Sequence, residues 1–245
     1  NLSSGFRSPN LDDAAKVFDS EPGNVVVPNQ NLKPEYIYSV DAGIIKKFNG
    51  RARIELTGFY SYLDQAIVRR DFQINGQDSI IYDGELSQVQ AMVNTGYANV
   101  YGASLLFNIK MFRYFVFNTS LTYITGTDDE GYALRHAPPL FGRTSISYEN
   151  KKLKLQLYSS YNAEVAYENL APSERSKAYL YATDENGNPY SPAWWTLDFK
   201  GSYAFNEKLL LTFGVENILN YRYRPYSSGI TAPGRNFIIA FRYTF

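Results

Sequence analysis

Nine segments of the chain alternate between apolar and polar side chains, and this alternation limits the fold more than any other feature. The two-residue period is that of a β-strand and recurs far more often than the 3.6-residue period of a helix. On each segment one parity lacks Asp, Glu, Lys and Arg, and the other parity carries the charges. The uncharged positions begin at Tyr36, Ile54, Ala103, Phe115, Leu140, Leu153, Trp195, Leu209 and Phe237. The pattern predicts an all-β protein whose sheet has one apolar face.

The length of the segments separates two kinds of sheet with an apolar face. A soluble β-sandwich also alternates, but its strands usually have about 5–6 residues. Here the alternation persists for roughly 9–12 residues, which spans about 25 Å at ~40° tilt, the height of the apolar band of a membrane barrel. Aromatic residues lie near the segment ends, as in aromatic girdles: Tyr36, Tyr62, Tyr123, Tyr148, Tyr161, Trp195 and Phe245. We therefore predict a transmembrane antiparallel β-barrel, with the soluble sandwich as the alternative.

The connections between the segments alternate in length. Short turns fall at 47–50, 111–113, 149–151 and 206–207, and long polar stretches at 7–34, 64–95, 128–138, 166–193 and 222–235. Outer-membrane barrels have short periplasmic turns and longer extracellular loops. With a first strand ending near Phe6, the sequence predicts ten up-and-down strands and places Phe245 on the periplasmic side. The turn residues at 184–189 predict an extra hairpin within a long loop.

The composition excludes several classes of protein. The 24 Lys and Arg residues balance the 24 Asp and Glu residues, so no basic field attracts nucleic acid. With no Cys and one His, the sequence lacks the residues for thiolate metal sites and offers little for zinc or Ser-His chemistry. Its longest apolar runs fall far short of the roughly 18–20 residues of a membrane-spanning helix. We predict no enzymatic activity, no cofactor and no resident metal.

Four stretches resemble the C-terminal half of the barrel of TonB-dependent outer-membrane receptors. Gly5–Asn10 is similar to a GFRxPN turn, Asn29–Glu35 to an NPxLKPE element and Glu216–Tyr223 to an ENLFDxxY element, and Pro233–Arg235 precedes a closing strand that ends in Phe245. The resemblance implies that residues 1–245 supply strands 13 to 22 of a 22-stranded plugged barrel in the outer membrane of a Gram-negative bacterium. The start in mid-strand, without a signal peptide, favours a fragment whose plug, TonB box and first strands lie outside this sequence.

The resemblance also implies a function. The receptor would bind a scarce nutrient at its extracellular loops, in the first place an iron chelate such as a siderophore, and import it by TonB-driven rearrangement of the plug. The partners expected are the rest of the receptor, outer-membrane lipid, TonB and a small-molecule ligand, with a surface lipoprotein as a further candidate. Two alternatives stay open: a ten-stranded outer-membrane protease, and a receptor-like barrel that binds or assembles without transport.

Cationic and aromatic side chains in the long connections are the candidate ligand-binding residues, because they suit an anionic chelate through charge-assisted hydrogen bonds and stacking. They are Arg69, Arg70, Tyr132, Arg135, His136, Arg175, Tyr179, Tyr181, Arg222, Tyr223, Arg224 and Tyr226. His136 has three interpretations: a haem ligand, half of an Asp-His pair with Asp128 or Asp129, or an exposed loop residue. On the charged parity, Asp198, Lys200, Glu216 and Arg242 are predicted to form a cross-strand network.

Overall fold

The computed structural model describes residues 1–21 and 23–245. Strands dominate the described chain and helices are single turns. The strands are β1 (Leu2–Arg7), β2 (Phe18–Glu21), β3 (Asn24–Val27), β4 (Glu35–Phe48), β5 (Ala52–Asp64), β6 (Ile67–Asp71), β7 (Ser79–Tyr82), β8 (Glu85–Asn94), β9 (Tyr97–Lys110), β10 (Phe115–Asp128), β11 (Phe141–Glu149), β12 (Leu153–Asn162), β13 (Ala182–Thr183), β14 (Pro189–Tyr190), β15 (Trp194–Ala204), β16 (Leu209–Glu216) and β17 (Asn236–Tyr243). The helices are α1 (Leu11–Ala14), α2 (Pro172–Arg175) and the 3₁₀ turns Tyr167–Asn169 and Ala178–Leu180.

Ten strands form one antiparallel sheet in the order β1-β4-β5-β9-β10-β11-β12-β15-β16-β17. Each strand of this sheet pairs with the next one along the chain, which is the up-and-down arrangement that the alternating segments predict. The all-β fold and the ten strands are thus confirmed. A pairing of β1 with β17 would close a small barrel, but in the described residues β1 pairs with β4 alone and β17 with β16 alone. The ten-stranded sheet is open.

The two faces of the sheet differ as the parity predicts. Large apolar side chains of the uncharged parity are exposed, including Ile44 (71%), Leu157 (41%) and Ile239 (72%). The register places Leu157 opposite Ile146 on one side and Phe199 on the other, so apolar side chains form continuous rows across strands. No part of the described chain covers this apolar face, which is the arrangement of a sheet that meets a solvent other than water.

The polar face differs in one respect from the prediction. The four charges at 198, 200, 216 and 242 are not joined by salt bridges anywhere in the described residues. Three of them contact neutral groups instead: Asp198 contacts Thr196 and Asn217, Lys200 lies over the Tyr158 ring, and Glu216 contacts Asn236. The predicted charge network is therefore wrong. Hydroxyl, amide and ring groups of the same or a neighbouring element contact Asp198, Lys200 and Glu216, which an alternation pattern does not reveal.

Two of the long connections are more ordered than predicted. The stretches at 7–34 and 64–95 contain β2, β3, β6, β7 and β8, which form a second, five-stranded sheet. Its centre is the parallel pair of β3 and β8, with Val25 and Val89 fully buried. Phe72, Ile74, Ile80 and Tyr82 pack against this core. The prediction of long polar stretches is incomplete here, because short apolar runs that are far apart in sequence pair with each other.

The five long connections of the large sheet lie at one end, since short turns join the strands at the other. We name them loop A (8–34), loop B (65–96), loop C (129–140), loop D (163–193) and loop E (217–235). The hairpin predicted in loop D is confirmed: β13 pairs with β14, and the Asp184 carboxylate accepts the backbone N–H groups of Asn186 and Asn188. Within the described residues, every helix is too short to cross a membrane.

Candidate functional site

Asn217 determines the path of loop E directly after β16. Its backbone N–H donates to the buried Asp198 carboxylate at 2.8 Å. Its side chain donates to the carbonyls of Tyr221 (2.8 Å) and Pro233 (3.2 Å) and accepts the Tyr221 N–H (2.8 Å). One side chain therefore closes both ends of loop E and holds the segment 222–226 at the top of the sheet. The Glu216–Tyr223 motif therefore has a structural role, which is to hold loop E in place.

Arg7 connects the two motifs at the start of the chain. Its guanidinium lies 3.6 Å from the Glu35 carboxylate and 3.5 Å from that of Asp13. Asp13 also belongs to the capping box of α1, in which Asn10 accepts its backbone N–H at 2.9 Å. These contacts hold the two ends of loop A together. The motifs at Gly5–Asn10 and Asn29–Glu35 therefore both stabilise the ends of this loop.

A buried carboxylate, Glu174 of α2, joins three loops. It is 0% exposed and accepts the hydroxyls of Ser227 (2.7 Å) and Tyr226 (3.1 Å) from loop E. Arg135 of loop C approaches the same carboxylate, with 3.6 Å between Nε and Oε1. Because a buried charge is costly unless it is paired and hydrogen-bonded, this contact set, which we call the Glu174 junction, holds loops C, D and E together.

His136 lies at the edge of the Glu174 junction. Its backbone is left-handed (φ 62°), and its Nδ1 is 3.3 Å from the Ser227 hydroxyl. His136 is an exposed loop residue. The burial of part of its ring, followed by the positive charge of Arg135, lowers the pKa of His136 from its ordinary value, against the opposing effect of Glu174. A neutral imidazole is favoured here. In the described residues its hydrogen-bond partner is a hydroxyl, so the Asp-His pair with Asp128 or Asp129 does not form.

Asp128 and Asp129 bind other groups. Asp128 is buried, accepts the backbone N–H groups of Glu130 and Tyr132, and forms an ion pair with Arg70 of loop B. Arg70 also lies over the Tyr132 ring, with 5.2 Å between Cζ and the ring centroid. Asp129 accepts the Thr95 hydroxyl, which lowers the pKa of this carboxyl. These contacts join loop B to loop C and neutralise the charge of Arg70.

Several predicted site residues serve the loop structure. Tyr181 is 7% exposed and packs with Tyr226 at 6.5 Å between ring centroids; burial raises the pKa of both hydroxyls. Arg175 donates to the carbonyls of Leu170 (3.1 Å) and Glu168 (2.9 Å). Arg69 lies over the Phe18 ring at 5.8 Å. These contacts hold loops A, B, D and E in shape.

A cavity of about 260 Å³ lies between loops D and E. Trp194, the first residue of β15, stacks on Tyr223 with 4.2 Å between ring centroids and an interplanar angle of 28°. Arg222 and Arg224 lie on the wall. Arg224 donates to the Tyr179 carbonyl at 3.0 Å, and the Tyr179 side chain is exposed. Burial, followed by the charge of Asp198, raises the pKa of Tyr223.

A second cavity, of about 560 Å³, opens between the Glu174 junction and the upper part of the polar face. His136, Tyr226 and Ser227 line its upper side, and Arg143 and Ser160 line its lower side. Arg143 lies 3.9 Å from the Tyr158 ring centroid, so a cation stands directly beneath the loops. The lower side of this cavity therefore carries a positive charge.

Eleven of the twelve predicted site residues thus divide into three sets. Arg135, His136, Tyr181 and Tyr226 meet at the Glu174 junction; Tyr179, Arg222, Tyr223 and Arg224 lie in or beside the 260 Å³ cavity; Arg69, Arg70 and Tyr132 join loops A, B and C. Arg175 braces α2. Sequence reasoning missed Glu174, Trp194 and Ser227. Trp194 had a signal, since it precedes the lipid-facing Trp195 and so falls on the polar parity. Within residues 1–21 and 23–245, no three His, Asp or Glu residues converge on a common metal position.

Comparisons with known proteins agree with this architecture. The family model described as TonB dependent receptor-like, beta-barrel matches residues 1–218. The copper transporter OprC superposes with a TM-score of 0.75 at 16% identity, covering 100% of this chain and 37% of that chain. The siderophore receptor PirA from Acinetobacter baumannii gives 0.72 at 17% identity, covering 100% and 38%.

A third solved structure is a mutant of the ferric enterobactin receptor PfeA from Pseudomonas aeruginosa in complex with enterobactin. Its TM-score is 0.74 at 17% identity, with 100% of this chain and 38% of that chain covered. At these identities the likeness is one of fold. The chain spans 37–38% of the length of these three proteins. No curated protein sequence matches it.

Proposed function

Because this chain belongs to the family of TonB-dependent receptor-like β-barrels, we propose that it is the C-terminal portion of the barrel of an outer-membrane receptor. The receptor binds an iron chelate at its extracellular loops and imports it by TonB-coupled transport, without enzymatic chemistry. The observation that carries the proposal is the combination of an uncovered apolar face with polar loops gathered at one end of the sheet.

The membrane part of the proposal follows from the two faces and the two edges. Exposed Ile44, Leu157 and Ile239 would cost free energy in water, at roughly 25 cal/mol per Å² of apolar surface. In lipid the apolar face contacts hydrocarbon instead of water. The backbone N–H and C=O groups along the free edges of β1 and β17 then need hydrogen-bond partners, because lipid offers none. We therefore assign the partners of β1 and β17 to further strands of the same receptor, which together with this sheet close a plugged barrel.

The ligand part of the proposal rests on charge and position. The Glu174 junction brings loops C, D and E together above a 560 Å³ cavity whose wall carries Arg143. Arg222 and Arg224 stand at the neighbouring cavity. Guanidinium groups recognise oxygen-rich anions through paired charge-assisted hydrogen bonds. The neighbours named as siderophore and enterobactin receptors support the choice of an iron chelate over a neutral solute.

Uptake of ⁵⁵Fe-labelled chelates tests the proposal in cells that carry the full-length receptor or a deletion. The deletion is expected to abolish uptake of at least one chelate, and a strain without TonB is expected to bind that chelate at the surface without importing it. If the deletion changes the uptake of no iron chelate, the substrate class is wrong. If chelate binds but is not imported in energised wild-type cells, the receptor is a binding or assembly protein.

A further inference from the structure

The end of the large sheet opposite loops A to E is strongly basic. Four short segments form this end, and we call them the basic turns: 46–51, 110–114, 149–154 and 205–208. They contain nine Lys and Arg residues against two Glu residues, which gives them a net charge of +7. Because the whole chain is neutral, the rest of it carries a net charge of −7. The balanced composition therefore conceals a sheet whose short-turn end is positive.

Most cations of the basic turns have no acidic partner among the described residues. Lys154 is the exception, since it forms an ion pair with Glu149 across the hairpin of β11 and β12. The other eight side chains are exposed and form no hydrogen bond or ion pair with a described residue: Lys46, Lys47, Arg51, Lys110, Arg113, Lys151, Lys152 and Lys208. Like charges that lie together repel one another and destabilise the compact state. An anionic partner from outside the described chain would relieve this repulsion.

The basic turns lie close enough to one another to act together. They join successive pairs of neighbouring strands in one sheet, from β4 and β5 to β15 and β16. Neighbouring strands are about 4.8 Å apart, so consecutive turns are about 10 Å apart. This separation is roughly one Debye length at about 0.1 M salt. The fields of the four turns therefore overlap and form one positive band, about 30 Å long, at the end of the sheet.

Aromatic side chains place the basic turns at the level of lipid headgroups. Phe112 (76% exposed) and Phe205 (47%) stand in two of these turns, and aromatic residues of membrane barrels gather where hydrocarbon meets water. Lys46 falls on the uncharged parity of β4, between the exposed Ile44 and Phe48. Its Nζ lies 5.2 Å from the Phe48 ring centroid. A Lys in this position keeps its stem on the apolar surface and its ammonium group at the interface, where lipid phosphates lie.

From these features we propose that the basic turns bind the headgroups of anionic phospholipids in the leaflet that they face. The inference rests on the membrane placement in the proposed function. Lys46, Arg113 and Lys151 make the direct contacts, because Arg113 and Lys151 precede the uncharged-parity residues Phe115 and Leu153 by two positions. The remaining cations strengthen the field. Clusters of four to eight basic residues beside a membrane are typical of sites for anionic lipid, and each cation near the surface strengthens binding about fivefold.

Fluorescence quenching at a basic turn tests this assignment in bilayers. The full-length receptor, without other cysteines, carries a bimane fluorophore at Phe112→Cys, next to Arg113. Phosphatidylglycerol and phosphatidylcholine, each with a doxyl quencher on the same acyl carbon, are compared at equal fractions in phosphatidylcholine bilayers. We expect phosphatidylglycerol to be enriched about fivefold at the label in about 0.1 M salt, and less than about twofold in about 1 M salt. Equal quenching by both lipids, or an enrichment that salt leaves unchanged, would overturn the assignment.

A double variant locates the bound lipid. Lys46→Gln/Lys151→Gln removes one charge from the turn on each side of the label and should reduce the enrichment to about twofold or less. Both side chains are exposed and form no ion pair with a described residue, so the unfolding temperature should stay unchanged. Lys16→Gln/Lys33→Gln is the matched control, because it removes two exposed charges from loop A at the opposite end. Enrichment that survives in the turn variant, or that falls equally in the control, would contradict binding at the basic turns.

The outcome separates this inference from the proposed function. A receptor that imports a chelate but shows no enrichment of phosphatidylglycerol at the label retains its function, and the lipid assignment is wrong. Enrichment that depends on Lys46 and Lys151, in a receptor whose deletion leaves the uptake of every iron chelate intact, supports the lipid assignment and overturns the iron chelate as substrate.

Discussion

Replacing Glu174 by alanine should release loops C, D and E from one another without unfolding the sheet. The carboxylate is fully buried and accepts two hydroxyl hydrogen bonds, from Ser227 and Tyr226. Hydrogen bonds to a charged group contribute about 1.5–3 kcal/mol each. The ion pair with Arg135 adds less, because the Arg135 side chain is 33% exposed and water screens it. We expect a loss of about 3–5 kcal/mol, the usual cost of breaking a buried pair.

Hydrogen exchange of the full-length receptor, followed by mass spectrometry, measures this loss locally. A loss of 3–5 kcal/mol raises exchange through local opening by a factor of about 10² or more. The increase should appear in peptides from loops C and E, and peptides from β10 to β12 should keep their protection. Glu174→Gln retains the shape and one acceptor and should give a smaller increase.

Glu185→Ala is the matched control, because Glu185 is an exposed carboxylate of the same loop. It should exchange as wild type does. Two results would refute the reasoning: loops C and E with unchanged exchange in Glu174→Ala, or an equal increase throughout the strands. The first would mean that the junction contributes no stability to the loops, and the second that it supports the whole sheet.

Two further predictions concern the strands and the pH. In Gly102→Ala the added Cβ would collide with the Tyr123 carbonyl oxygen, so the barrel should lose about 1–3 kcal/mol of stability and unfold at a lower temperature in detergent. An unchanged unfolding temperature would refute the contact. The lowered pKa of His136 means that the folded loops bind this proton less readily than the unfolded chain. The free energy that stabilises the loops is therefore fully present above about pH 6.5, the ordinary pKa of His, and decreases as the pH falls below that value. After division by the base-catalysed intrinsic rate at each pH, the protection of loop C amides should decrease as the pH falls from 7.5 to 5.5, and His136→Gln should remove that decrease.

The alternation of side chains predicted the large sheet because each strand has the same two environments along its length. Leu153, Leu155 and Leu157 on β12 face one way and Lys154 and Gln156 the other, and the register follows from matching such rows across strands. The short turns also needed only local information. Asn49 and Gly50, for example, both have positive φ and close the hairpin of β4 and β5.

The second sheet was beyond local reasoning. Val25, Val26 and Val27 form an apolar run of three residues, too short to identify a strand by its period. The run is buried because β8, about 60 residues later, pairs with it in parallel, with Val25 opposite Val89. Such a pairing depends on how loops A and B fold back over the end of the large sheet.

The sequence predicted which types of residue form the candidate site, but it did not predict how these residues contact one another. Arg135, His136 and Tyr226 are all polar or aromatic loop residues, which the composition of the loops indicates. The residue that joins them is Glu174. Its position next to Ser173 in a polar loop predicts an exposed side chain. Its complete burial results from three loops closing around it, with the two hydroxyls of loop E as partners.

Contact of the apolar face with lipid is the claim on which the account depends, and spin labels on β12 test it most directly. The chain has no Cys, so Leu157→Cys and Gln156→Cys each give one labelling site within it, in a full-length receptor without other cysteines. In lipid bilayers, the label at 157 should relax with dissolved oxygen and the label at 156 with a water-soluble nickel chelate. Labels at 155 and 154 should repeat this alternation. Equal access of the nickel chelate to both parities, or a label at 157 shielded from both reagents, would contradict a membrane-spanning sheet.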